Sequence, residues 1–212
     1  MLIRPGGVVV VGLRREAALL PKGMRAVVSG ARPERLKSLM EALPGDVTAV
    51  LSFGFAGGLK PGLPPGRLVV ATALDPPDIA PDPLWAALIA ARTGAARGTL
   101  ASSDTVLDSP EAKRRLHEAT GALAVDMESG VAARFAAARG LPFAALRAIS
   151  DSAEEALPAS AADAITPEGG INLPGLLRML IWRRDDLRAL TALGPGADEA
   201  ETSLRMAVER LH

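Results

Sequence analysis

Short apolar runs alternate with helical stripes along most of the chain. Residues 7–12 form a valine run bounded by glycines, too short for a helix and too apolar for an edge, and predict a buried strand. Residues 25–29 predict a second strand. Pro33 then suits a first helical turn, and Leu36, Leu39, Met40 and Leu43 recur at i, i+3, i+4 and i+7, so a helix packs one face on the sheet. Residues 47–53 predict a strand leading into Gly54-Phe55-Ala56-Gly57-Gly58. Residues 67–73 predict another after the proline-rich turn at 61–66, and residues 97–101 a further one. Between them, 75–83 carries four prolines and three aspartates, which only an irregular loop accommodates. Helices are predicted over 84–92 and from Ser109-Pro110-Glu111, where a cap, a first-turn proline and an acid coincide. Alternation of this kind implies an α/β fold: one domain over 1–212 with a mixed, largely parallel central sheet flanked by helices.

In the second half, the apolar approach Ala124-Val125 ends in Asp126-Met127-Glu128 and gives way to a helix over 130–139, with Val131, Phe135 and Ala138 on one stripe. The run 141–149, interrupted only by Arg147, stops at Ser150-Asp151. In open α/β sheets ligands bind outside the carboxyl ends of the strands, so acids placed there face a substrate. Each also has a plainer reading. Glu128 opens a helix, where the dipole favours any carboxylate; Asp151, closing a buried strand, needs exposure or a partner, for which Arg147 is the candidate. Residues 152–172 read as a loop or lid beside Asp151. Over 173–193 a helix is predicted in which Leu176, Leu177, Leu180 and Ile181 oppose Arg178, Arg183, Arg184 and Arg188, and 197–211 forms a last helix.

Composition narrows the chemistry. The 212 residues carry 24 basic and 24 acidic side chains, so no overall positive field attracts nucleic acid, and none is expected as a partner. With no cysteine and only His117 and His212, thiol nucleophiles, thiolate metal sites and histidine clusters are excluded. Acid–base work therefore falls to carboxylates helped by arginines. The glycine-rich segment 54–58 matches neither the dinucleotide fingerprint nor the P-loop; its glycines make a tight turn or let the backbone approach a ligand. Arg14 and Arg15 read as solvated charges or as an anion site. No apolar stretch is long enough to span a bilayer, so a cytoplasmic location is expected, with membrane-surface contact through the Arg/Leu helix.

Three separated pieces resemble the nucleoside phosphorylase and nucleosidase superfamily: GLRREAALL at 12–20, SFGFAGGLKPGLPPGRLVV at 52–70 and AVDMESGVAARFAAARGLPFAALRAISD at 124–151. The last is similar to the family's V-E-M-E ribose motif followed by its R-x-I-S-D base motif. The resemblance implies that Glu128 holds the ribose hydroxyls with Met127 against the sugar, Asp126 lending support. Asp151 would give a proton to purine N7, with Ser150, Val106, Phe55 and Gly57 around the base. A proton donor near neutral pH needs a raised pKa, which the apolar strand before Asp151 can supply. Glu16 aligns with the glutamate that activates water in hydrolytic members. Gly12, Arg14, Arg15 and Arg147 fall where phosphorolytic members hold phosphate, so phosphate stands as an optional co-substrate; no other cofactor and no metal is implied. Phe55 departs from the serine common in hydrolytic relatives. The short segment after Ala73 departs from methylthioadenosine nucleosidases and implies an open 5′ side. The whole chain, including INLPGLLRML at 171–180, resembles the hopanoid-associated phosphorylase subfamily. That implies release of adenine from an adenosine bearing an apolar 5′ substituent, adenosylhopane, by a homodimer or larger homo-oligomer. A methylthioadenosine/S-adenosylhomocysteine nucleosidase and a non-catalytic nucleoside-binding protein are the alternatives.

Overall fold

The valine run forms strand β1 (Val8–Val11) in a computed structural model that describes residues 5–157, 166, 168–170 and 184–212, with backbone alone over 184–195. All four valines are fully buried because both faces of the strand are covered. Val9 and Val11 point into a core shared with the helices α3 (Pro83–Thr93) and α6 (Arg184–Leu211), while Val8 and Val10 point into a second core under α2 (Pro33–Glu41) and α5 (Ser129–Ala138). The period-2 alternation of a strand thus divides one valine run between two hydrophobic layers.

The remaining strands are β2 (Arg25–Val28), β3 (Val50–Gly58), β4 (Leu68–Asp75), β5 (Ala96–Ser102), β6 (Ala124–Asp126) and β7 (Phe143–Asp151), with the short helix α1 (Arg14–Ala17) after β1 and α4 (Pro110–Thr120) after β5. The sheet order is β2-β1-β3-β6-β5-β4-β7, and β7 pairs in parallel with β3 as well. Five strands therefore close on themselves, with β1 and β2 continuing the sheet outward from β3. Among the pairings of these described strands, β3–β6 and β4–β7 are antiparallel and the rest parallel. The α/β class and mixed, largely parallel sheet are as the residue pattern implies, but closure is added by long-range pairings that no local pattern specifies.

Helix ends follow their side chains. Asp82 accepts hydrogen bonds from the main-chain N–H groups of Leu84 and Trp85, and Ser109 from that of Ala112, at the starts of α3 and α4. Two expectations change. The glycine-rich segment 54–58 is strand, the end of β3, and not a turn. The chain from Arg184 to Leu211 is one helix, where two separated at 194–196 were expected. There Gly196 comes so close to the carbonyl of Ser150 that an added Cβ would collide with it, while Ala200, Leu204, Ala207 and Leu211 bury one face in the core. Most of the expected lid at 152–172, and residues 173–183 of the expected Arg/Leu helix, lie outside the described residues. Among the described residues no helix is long and apolar enough to cross a membrane.

Candidate active site

A cavity of about 220 Å³ opens at the carboxyl ends of β1, β3, β6 and β7. Turns and strand ends bring three distant acids to its wall: Glu16 from α1, Glu128 just after β6, and Asp151 at the end of β7. Met127, Gly12, Phe55 and Gly57 line it too, as do Val106 and Ser150.

At one end Glu16 is only 2% exposed. Its Oε2 accepts a hydrogen bond from the main-chain N–H of Leu13 at 2.7 Å, and its Oε1 from that of Phe55 at 2.7 Å. The first bond reaches back over the single turn of α1, so the helix start itself fixes the carboxylate. The second requires Gly54, whose φ of +145° suits glycine alone and whose added Cβ would run into Glu16 Oε1. Glu128 faces Glu16 across Gly12: a Cβ on Gly12 would lie 3.1 Å from Glu128 Oε1 and 3.3 Å from Glu16 Oε2. Ser29, completely buried, donates to Glu128 Oε1 at 2.8 Å. Burial first, then repulsion from Glu128, pushes the Glu16 pKa up to about 7, with Arg147 and the two main-chain donors working against them. Glu128 is also raised, by burial and by Asp126, against the pull of Arg147 and Ser29.

Arg147 lies beneath these acids, wholly buried. Its Nε stands 2.5 Å from Asp126 Oδ2 without the alignment of a hydrogen bond, and Nη1 is 3.5 Å from Glu128 Oε2. Nη2 donates to Ser52 Oγ at 2.5 Å, and Ser129 Oγ donates to Asp126 Oδ2. Asp126 thus supports Arg147, and through it the charge under Glu128.

At the other end Asp151 is paired with Lys113, Nζ to Oδ2 at 2.5 Å, and not with Arg147 as the sequence suggested. The β3–β7 register sets Arg147 beside Gly54, which directs its guanidinium toward β6, whereas α4 carries Lys113 over the end of β7. Ser150 Oγ donates to Asp151 Oδ1 at 2.8 Å.

Two of the expected anion-site residues lie elsewhere. Arg14 Nε donates to the carbonyl of Glu168, and Arg15 is bound to Asp198 and Glu201 of α6, its guanidinium 5.2 Å from the centre of the Phe55 ring; neither lines the cavity. On the single turn of α1 Glu16 is the buried residue, while Arg14 and Arg15 before it are exposed. Lys113, Ser29, Ser52 and Ser129 escaped the sequence reading. Lys113 alone left a signal, since residues 113, 116, 117 and 120 share the inward stripe of α4. Among the described residues no group of three or more His, Asp or Glu side chains is placed to hold a metal ion.

Residues 23–178 match the family model described as the phosphorylase superfamily. The chain belongs to the phosphorylase superfamily. Within the superfamily it is 32% identical over 164 residues to the futalosine hydrolase of Streptomyces coelicolor, covering 62% of this chain and 68% of that one. Its fold matches the 5′-methylthioadenosine/S-adenosyl homocysteine nucleosidase of Helicobacter pylori with a TM-score of 0.67 at 20% identity, over 96% of this chain and 94% of that one. It also matches the futalosine hydrolase of Helicobacter pylori with a TM-score of 0.66 at 20% identity, over 95% and 96%. Glu16 lies before the region that the superfamily model covers.

Proposed function

We propose that the protein hydrolyses the N-glycosidic bond of a 5′-substituted purine nucleoside, with Glu16 as the base that activates water, Glu128 as the clamp on the ribose hydroxyls and Asp151 as the acid that protonates the leaving purine. Membership in the superfamily and the likeness to nucleosidases support bond cleavage of this type. As the bond breaks, positive charge builds on the ribose and the electron pair goes to the purine. Carboxylates at the sugar and a proton donor at the base are what that charge separation needs. Asp151 gives the proton from its acid form, carried on Oδ1 with the Ser150 hydroxyl turned to the carbonyl of Ala56, and the carboxylate left after transfer is the one paired with Lys113.

Water is preferred over phosphate because of one observation: the cavity wall carries Glu16, Asp126, Glu128 and Asp151, and its one cation among the described residues, Lys113, is already held by Asp151. A phosphate dianion would meet carboxylates at the sugar end, with Arg147 committed beneath them. Glu16, with its pKa near 7, is suited to take a proton from water at neutral pH.

For the 5′ substituent, resemblance to the hopanoid-associated phosphorylases supports adenosylhopane, and the likeness to futalosine hydrolase supports futalosine as the second reading. The test offers adenosylhopane, futalosine and methylthioadenosine with and without phosphate, and measures free base. Full turnover of one of them in phosphate-free buffer is expected. A rate that depends on phosphate would reject the hydrolytic reading, and no base from any would reject the enzyme reading.

A further inference from the structure

Lys113 is a fully buried cation in the cavity wall, and the mechanism just proposed gives it no task. Its three ammonium protons are all engaged: with Asp151 Oδ2 at 2.5 Å, the carbonyl of Ser152 at 2.7 Å and that of Glu155 at 2.8 Å. Both members of the ion pair are almost inaccessible, with side-chain exposures of 1% and 6%. Such a pair is a poor device for stability, because desolvating two charges offsets most of their attraction and apolar residues of similar volume serve as well or better. It does fix geometry. Oδ2 is held by Lys113, Oδ1 by Ser150 and the near side is closed by Gly57, where an added Cβ would stand 3.2 Å from Oδ2. The same ammonium ties α4 to the turn after β7, so the carboxyl group and the chain that carries it are set by one contact.

We propose that Lys113 is the positioning residue of Asp151, holding its carboxyl group in the one orientation from which it serves the leaving purine. Lys113 acts through Asp151 and touches no reacting atom. The inference rests on Asp151 being the leaving-group acid, as proposed above. A misplacement of about 1 Å at a reacting group costs on the order of a hundredfold.

The experiment compares Lys113→Met, Asp151→Asn and the double variant on whichever nucleoside the wild-type protein turns over. Lys113→Met is expected to lower kcat about 30- to 100-fold while KM stays within about threefold, and to cost less than about threefold when Asp151 is already Asn. Equal losses in both backgrounds, or no loss in the first, would overturn the proposal. Near-normal turnover by Asp151→Asn would instead remove the acid role itself, whereas a slow Asp151→Asn beside a normal Lys113→Met would remove only the role of Lys113. If Lys113→Met does not fold, Lys113→Gln is measured in the same cycle, and additive losses there count against the proposal in the same way.

Discussion

At the sugar end of the cavity Glu16 takes its hydrogen bonds from two main-chain N–H groups, while at the base end Asp151 is held by an ammonium and a hydroxyl. Main-chain donors fix a carboxylate without cancelling its charge. Burial and the neighbouring Glu128 outweigh Arg147 and the two main-chain donors, and the Glu16 pKa rises to about 7. Asp151 carries its counter-charge with it. The two ends teach that a reacting carboxyl group can be fixed in two ways, by main-chain donors as at Glu16 or by a buried ion pair as at Asp151.

The largest effect should come from the sugar end. Glu16→Gln keeps the shape of the side chain and removes the base, so kcat is expected to fall by about 10²- to 10⁴-fold. Single-turnover measurements should show nucleoside binding retained. A variant within tenfold of wild type would mean that Glu16 is not the base, and the contrast between the two ends would lose its chemical meaning.

Stability should respond with the opposite sign. The folded state raises the Glu16 pKa from 4.5 to about 7, so folding is favoured by its proton below pH 4.5 and that contribution is lost as pH rises through 7. The loss at pH 8 amounts to about 3 kcal/mol at most, from the size of the shift. Glu16→Gln lacks this term. Its melting temperature relative to wild type should therefore rise between pH 5 and pH 8; a difference that stays constant would show that Glu16 is not held protonated by burial.

Activity follows the same titration in the other direction, since only the ionised carboxylate accepts a proton. Below its pKa, kcat/KM is expected to increase about tenfold per pH unit and to level off above about 7. The groups facing Glu16 are Glu128, raised by burial, and Arg147, which opposes both shifts. A profile flat from pH 5 to 7 would contradict the poised-base reading.

How much of this was legible in the sequence depends on how local each feature is. Glu128 and Asp151 stand out because acids that end apolar runs have nowhere to go but a strand's carboxyl end. Glu16 has no such mark and needed the family resemblance. The glycines of 54–58 were visible, but their purpose was not: Gly54 leaves room for a carboxylate 38 positions away from it in the chain (54 − 16), a fact about packing. Partner choice was hidden for a similar reason. Arg147 is close in sequence to Asp151, but strand geometry sends residues four apart to different neighbours along the sheet, and Asp126 arrives from β6. The strands of the closed sheet were mostly predictable one at a time, whereas closure depends on β7 meeting both β3 and β4.

The smallest expected effect concerns the arginines that the sequence offered as an anion site. Arg15 bridges α1 to Asp198 and Glu201 while 40% of its side chain stays exposed, and solvent screening limits such a pair to about 1 kcal/mol or less. Arg14 is also at the surface. If water is the nucleophile, Arg14→Ala and Arg15→Ala should each leave kcat/KM within about twofold, because neither side chain reaches the cavity. If phosphate is the nucleophile and these side chains swing in to hold it, each change should raise the KM for phosphate at least about tenfold. Saturation curves for phosphate on the two variants separate these outcomes, and the tenfold rise would turn the sugar end of the cavity from a water site into an anion site.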